Sequence, residues 1–257
     1  MQRAAYEATS NFEATHWWFL SRRDLFLQQV QIAAREIQGA RPLGSGRLDL
    51  LDYGCGTGFN LTFLSRFGEV TGADIAPESL VDFQKTQGFR LFDLRGDTSS
   101  LRGSFDIITA LDVLEHLDDD VGGLQMLSGF LKPGGQVVLT VPAYQWLWGG
   151  EDELSLHKRR YTKRTLARAC GSSGLTIRFL SYFNLSILPL AAMTIWLKRL
   201  WSPRRALQES NLKPTPDWVN RMLYTVTAFE NRRVGQGRLV LPAGASLVCR
   251  LEAARNL

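Results

Sequence analysis

The chain has 257 residues, 45% hydrophobic and 21% charged, a globular composition and not a disordered one. Its 30 Lys/Arg and 25 Asp/Glu leave a formal charge of +5, unevenly placed: residues 1–150 carry 12 basic and 18 acidic side chains, residues 151–257 carry 18 and 7. A chain this long needs no disulfide or metal staple. Three scattered cysteines with no CxxC or Cys/His cluster argue against a structural zinc site. The first residues lack an apolar run behind a basic start, so no secretory leader and a reducing, cytoplasmic setting are expected.

In chain order, the first 40 residues read as helix, followed by a turn-rich break at 41–46. A strand is expected at Leu48–Tyr53, a helix at Phe59–Phe67, a strand at Val70–Ile75 and a Pro-opened helix at Pro77–Gln87. Strands follow at Phe89–Leu94 and Phe105–Val113. A helical stripe covers Val121–Leu131, and a fifth strand Gln136–Val141. Thr162–Ala169 reads as helix, Leu175–Phe183 and Ala245–Leu251 as strands, and 184–244 as a helical insertion. Strands alternating with helices predict a parallel sheet covered on both faces.

The strongest chemical signal is the turn after the first strand, Asp52-Tyr-Gly-Cys-Gly-Thr-Gly58, with Asp74 ending the next strand 22 positions on. Glycines 54, 56 and 58 let backbone approach a ligand closely, and an acid at the second strand end suits ribose hydroxyls. The phosphate fingerprint G-x-G-x-x-G is absent, since its sixth position falls on Phe59 or Leu61. An acid before the turn suits a cationic ligand. S-adenosylmethionine (SAM), with an ammonium and a ribose diol, meets both demands.

The segments LDYGCGTG, GADIAPESL, GDTSSL, SFDIITALDVLEHL and FLKPGGQVVLTVP, in this order and spacing, resemble the class I SAM-dependent methyltransferases over residues 48–143. HWWFLSRR (16–23), HKRRYT (157–162), YFN (182–184) and LPAGASL (241–247) resemble a bacterial subgroup of them. The resemblance implies a Rossmann-like α/β fold with a seven-stranded, mostly parallel sheet, helices on both faces and a helical insertion before the last strand. One domain over 1–257 is expected: an N-terminal cap (1–46), a SAM-binding core (47–183), the insertion (184–244), and the last strand with the tail (245–257).

Carried over by position, the resemblance places Asp52, Gly54, Cys55, Gly56 and Gly58 around the methionine part of SAM. It places Asp74 on the ribose, Ile75 beside the adenine, and Asp97 with Thr98 at the adenine amino group, Asp93 being the rival carboxylate. Leu111 and Asp112 fall near the sulfonium. The product would be S-adenosyl-L-homocysteine, and the acceptor an oxygen or nitrogen of a small-molecule, lipid-linked or glycan-linked compound.

Three histidines exist, of which His116 and His157 lie on segments expected at the ligand edge, as candidate bases or positioning groups. Trp18 and Arg22 are expected over the cofactor, with Arg22 on its carboxylate. Tyr144, Trp148, Arg159, Arg160 and Tyr161 are candidates for the acceptor side, the arginines for an anionic group or for a helix-entry ion pair. Asp118–Asp120 reads as a solvated helix start, and no metal is expected. Ser186–Trp201 reads as a helix apolar nearly all round, ending in Lys198 and Arg199. A lid or homodimer helix over the pocket, peripheral membrane contact through 186–205 and a membrane span are the three readings. The other basic residues lack the aromatic interleaving of a nucleic-acid platform, and no nucleic-acid partner is expected.

Overall fold

The computed structural model describes residues 12–42, 44–75, 88–201 and 214–254. Seven strands form one sheet: β1 (Leu48–Tyr53), β2 (Gly68–Asp74), β3 (Arg90–Asp93), β4 (Phe105–Leu111), β5 (Leu131–Pro142), β6 (Thr176–Phe183) and β7 (Ser246–Glu252). Their order is β3-β2-β1-β4-β5-β7-β6. Neighbours from β3 to β5 are parallel, while β7 runs antiparallel to both β5 and β6. The central strands read as apolar runs because helices cover both faces. Leu50, Leu51, Ile107, Ile108, Val137, Val138 and Leu139 are fully or almost fully buried.

The helices are α1 (Trp17–Gly39), α2 (Leu61–Leu64), α3 (Asp120–Phe130), α4 (Gly150–Leu154), α5 (Lys163–Gly171), α6 (Leu188–Trp201) and α7 (Asp217–Gly235). Asp119 caps α3 by accepting from the Gly122 amide at 2.8 Å. Thr162 caps α5 by accepting from the Thr165 amide at 3.2 Å.

Several expectations need correction. The helix expected at Phe59–Phe67 is the single turn α2, because glycine-rich backbone runs up to Asn60 and the chain re-enters the sheet at Gly68. A Cβ at Gly68 would lie 2.0 Å from the Leu48 carbonyl oxygen, so the return must be made there by glycine. The fifth strand starts at Leu131, ahead of Lys132-Pro-Gly-Gly135, and its register with β4 shifts between Phe105 and Ile107. The helix expected at Pro77–Gln87 lies outside the described residues.

The 184–244 stretch holds two helices. α7 docks along α1: Gln29 donates to the Gly235 carbonyl at 2.7 Å, Tyr224 to Asp24 at 2.8 Å, and the Trp17 amide to Asn220 at 2.8 Å. α6 was expected to be buried or in lipid, yet none of its residues is buried within this chain. Among the described residues, no helix is long and apolar enough to cross a membrane.

Strand order reverses between β1 and β4, which are sheet neighbours although two strands separate them in sequence. In open α/β sheets such a point leaves a crevice at the strands' carboxyl ends, where ligands bind. Asp52–Gly58 and Leu111–His116 lie at this place.

Candidate active site at the sheet's carboxyl edge

The glycine turn is shaped by backbone that other residues resist. Gly54, Gly56 and Gly58 have φ of 72°, 59° and 80°. At Gly54 a Cβ would also come within 2.6 Å of Val113 Cγ2. Asp74, ending β2, accepts from the Gly56 amide at 2.9 Å and fixes the turn. Asp52 is buried, and its Oδ1 accepts from the Thr109 hydroxyl at 2.6 Å. Its Oδ2 is buried without a hydrogen-bond partner. Burial, with the charges of Asp74 and Glu13 adding to it against the Thr109 hydrogen bond, pushes the Asp52 carboxyl up to about 7. Two carboxylates and an orphaned oxygen beside an open turn fit a cationic, hydroxyl-bearing ligand such as SAM and repel a pyrophosphate. Cys55 is buried, and burial raises its thiol far from reactivity.

The chain before and within α1 closes over this turn. Thr57 donates to Glu13 at 2.6 Å, and the Arg23 guanidinium lies 5.0 Å from the Phe59 ring and 4.4 Å from that of Phe63. Trp18 lies against Arg22, whose guanidinium is 5.1 Å from the Trp18 ring centroid. Arg22 was expected on the cofactor's carboxylate. Within the chain it pairs with Asp112 and donates to the Thr140 hydroxyl at 3.1 Å. Asp112 has φ of 56°, a strained position for a non-glycine residue, and Thr140 donates to it at 3.1 Å. Arg22, Asp112 and Thr140 therefore form one network at the switch point, with Leu111 half-buried behind it.

At the side expected to meet adenine, Ile75 is 60% exposed just past β2, although apolar. Asp97 is exposed and accepts from the Ser99 amide and hydroxyl at 2.9 and 2.7 Å, which lowers its pKa. Thr98 precedes the short 3-10 turn Ser99–Leu101. The rival Asp93 is held by Arg95, whose Nη2 lies 2.6 Å away.

His116 and His157 come together, ring centroids 4.7 Å apart at 80°. His116 sits on the 3-10 turn Leu114–His116 after β4, and burial followed by the proximity of His157 lowers its pKa to about 4. His157 places Nδ1 2.8 Å from Asp152. Arg160 grips the same Asp152 with both ends, at 2.7 and 2.8 Å. Burial alone would raise Asp152, but the His157 and Arg160 hydrogen bonds outweigh it and hold its pKa below the usual value.

Three acceptor candidates have partners within the chain, as the ion-pair alternative for the arginines expected. Arg160 is held on buried Asp152 and the Ala143 carbonyl. Arg159 donates to the carbonyls of Leu117 and Asp118 at 3.0 and 2.7 Å and pairs with Asp120. Tyr161 is buried with its hydroxyl on Asp120 at 2.9 Å. All three tie the HKRRYT segment to the core, so their groups are already used within the chain.

Tyr144 and Trp148 stand differently. Tyr144, at φ 58°, stacks on Tyr182 with centroids 5.1 Å apart and on Trp146 at 5.4 Å. Trp148 is half-buried; its ring N–H donates to Glu153 at 2.7 Å and its carbonyl accepts from Arg199 of α6 at 2.7 Å. The insertion thus reaches the aromatic wall following β5.

The sequence reading missed Glu13, Thr57, Thr109 and Glu115. Thr109 is a polar residue within the buried run of β4, with no sequence pattern to mark it. Glu115 sits inside the VLEH segment, next to the candidate histidine. No pattern announces that its carboxylate is wholly buried.

A family model described as a methyltransferase domain matches residues 22–180. The ubiquinone biosynthesis O-methyltransferase of Xanthomonas oryzae pv. oryzae is 34% identical over 110 residues, covering 37% of this chain and 46% of that protein. Its counterpart in Xanthomonas axonopodis pv. citri is 29% identical over 136 residues, covering 49% and 56%. The chain thus spans about half the length of the curated relatives it matches. Among solved structures, a chain of the complex between the Haloferax volcanii Trm112 methyltransferase activator and a methyltransferase superposes with TM-score 0.56 at 16% identity, covering 99% of this chain and 96% of that one. A Galdieria sulphuraria structure described as a sarcosine dimethylglycine methyltransferase gives 0.56 at 14%, covering 92% and 87%. With a matching domain model over most of the chain, a shared fold and an acid-flanked glycine turn at the switch point, this protein belongs to the class I SAM-dependent methyltransferases.

Proposed function

We propose that the chain transfers a methyl group from SAM to an oxygen of a small, amphipathic acceptor. The observation that carries this reading is the buried Asp52, with its orphaned oxygen, beside Asp74 and the glycine turn. Asp52 would hold the ammonium, Asp74 the ribose diol, and Ile75 with Asp97 and Thr98 the adenine. When bound, SAM supplies an electrophilic methyl on a sulfonium. The chain's own part is to align the acceptor and to exclude water. Trp18, the Arg22–Asp112 pair and the Glu13–Thr57 contact roof the site. Tyr144 and Trp148 offer the acceptor an aromatic wall. His116 and His157 provide a polar pair able to orient an acceptor hydroxyl or assist loss of its proton.

Oxygen is favoured over nitrogen by the O-methyltransferase names of the Xanthomonas relatives. An amphipathic acceptor is favoured by the insertion. α6 exposes Met193, Trp196, Leu200 and Trp201 beside Lys198 and Arg199, and α7 exposes Trp218, Met222, Val226 and Phe229. Aromatic and apolar side chains interleaved with cations suit a surface of anionic lipid headgroups. That is the occupant proposed for these faces, in preference to a second copy of the chain.

The deciding experiment pairs calorimetry with SAM and a screen for S-adenosyl-L-homocysteine release over phenolic, hydroxylated and lipid-linked acceptors. Release with one acceptor class, together with a methyl ether in the product, is expected. SAM binding with acceptor consumed and no S-adenosyl-L-homocysteine would instead mark a rearrangement catalyst.

A further inference from the structure

Glu115 is the least explained side chain of the site. It is completely buried, and neither carboxylate oxygen has a hydrogen-bond partner. The nearby arginines are used elsewhere, Arg22 on Asp112 and Arg160 on Asp152. A buried anion without donors needs a cation beside it or a proton on it. What stands beside it are two imidazoles. His157 Nε2 is 4.0 Å from Glu115 Oε1, and one ligand atom from each of Glu115, His116 and His157 lies within 4.8 Å of the others.

The surroundings of the imidazoles also fit. Asp152 engages His157 Nδ1 at 2.8 Å, which leaves Nε2 for the shared space. Asp152 is itself held by Arg160 and by the Gly149 amide at 2.7 Å. Histidines that bind metals have their second nitrogen fixed in this way by a carboxylate or a backbone carbonyl. The Lys158 amide donates to the Glu115 carbonyl at 2.7 Å, fastening the His157 segment to the turn that carries the other two groups.

We infer that Glu115, His116 and His157 form a three-ligand site for a divalent transition-metal ion, with Zn²⁺ the best match. Two imidazoles and one carboxylate are donors for a borderline ion, and three protein ligands leave a coordination position open. Mg²⁺ and Ca²⁺ favour all-oxygen sets. Donors on a Zn²⁺ ion stand roughly 3.4 Å apart at metal–ligand distances of about 2.1 Å. Closing on the ion therefore draws the three groups together by about an ångström through side-chain rotation. The role of the ion rests on the methyl-transfer reading: at the open position it would hold the acceptor oxygen and make its hydroxyl more acidic, the proton passing to solvent. Binding of the ion does not depend on that reading.

The test uses the whole chain, free of any affinity tag and stripped of metal, titrated with Co²⁺ and then Zn²⁺ without SAM or acceptor. One equivalent of Co²⁺ is expected to bind with visible absorption bands of a low-coordinate site, and Zn²⁺ to displace it. Glu115→Gln and His157→Gln should each weaken binding at least tenfold, and Asp152→Asn by about tenfold. Zn²⁺ should raise the Tm of the unsubstituted chain and leave that of Glu115→Gln unmoved. No saturable binding of either ion to the unsubstituted chain overturns the site, whatever the variants do. Binding that survives Glu115→Gln and His157→Gln undiminished overturns it as well. SAM calorimetry on the same preparations keeps failure of the metal site distinct from failure of the methyl-transfer reading.

Discussion

In the proposed reading, Asp52 and Asp74 divide the work of binding a cation that also carries a ribose. Asp74 is committed by the Gly56 amide to a fixed orientation, while Asp52 keeps one oxygen unpartnered and a carboxyl titrating near 7. The sign of the pH effect follows. Below about 7 the free protein holds a proton on Asp52, and binding an ammonium there must release it. SAM affinity should therefore rise about fivefold from pH 6 to roughly pH 7.4, and fall above as the ligand's α-amino group, of pKa about 7.7–8.0, loses its own proton. Calorimetry across this range checks it, and Asp52→Asn should bind weakly with no such slope. Asp74→Ala should weaken SAM more than tenfold, since it removes both the proposed ribose contact and the anchor of the turn. Near-normal affinity would sink the ribose assignment. These residues were readable in the sequence because strand end, glycine spacing and acid recur at fixed offsets. Arg159, Arg160 and Tyr161 were not: a basic cluster looks the same in sequence whether it faces a ligand or a buried aspartate. Glu115 was hidden for a related reason, because burial of a carboxylate leaves no periodic trace.

At the scale of elements, the loops after β4 and β5 are tied to one another and to the end of β5. Tyr144 donates its amide to the Tyr161 carbonyl at 2.8 Å, Asp112 its amide to Thr140 at 2.9 Å, and Lys158 its amide to Glu115 at 2.7 Å. Asp152 is the knot. It is inaccessible to solvent and takes charge from Arg160 and hydrogen bonds from His157 and Gly149. Arg160→Ala should cost about 3 kcal/mol, because a buried charge loses its main partner. In a chain of this size that lowers Tm by roughly 6–12 °C, measurable by thermal melting, with SAM affinity little changed in the protein that remains folded. The parallel strands were legible from apolar runs bounded by turns. The one-turn α2 was not, because Phe59, Leu61, Phe63, Leu64 and Phe67 give a helical stripe that glycine backbone and the return at Gly68 cut short. Nor was the docking of α7 on α1, since it depends on pairs such as Tyr224 with Asp24 that lie 200 residues apart.

Across the whole molecule, the charge division has a spatial meaning. Acidic side chains concentrate in the half that carries Asp52 and Asp74, the acids proposed to hold SAM. The excess of basic ones lies partly in the HKRRYT knot, where it is neutralised internally, and partly on the insertion. On α6 and α7 the cations Lys198, Arg199, Arg221 and Arg233 accompany Trp201, 82% exposed, and Trp218, 71% exposed. Large apolar side chains so exposed on two helices exceed what scattered surface hydrophobics explain. If these faces meet anionic headgroups, attraction and insertion should separate experimentally. Co-flotation with phosphatidylglycerol-containing vesicles is expected, falling as salt shortens the reach of the cations. Trp196→Glu combined with Trp201→Glu should abolish flotation while leaving SAM binding intact, because α6 buries none of its residues in the fold. A protein that stays in the soluble fraction at low salt would remove the lipid reading, and a dimer that the same substitutions dissolve would assign the faces to a second copy of the chain. With vesicles bound, an acceptor dissolved in the bilayer should be methylated faster than the same acceptor in detergent. α6 touches the aromatic wall through Arg199 and the Trp148 carbonyl, so a docked insertion would open that wall towards the lipid.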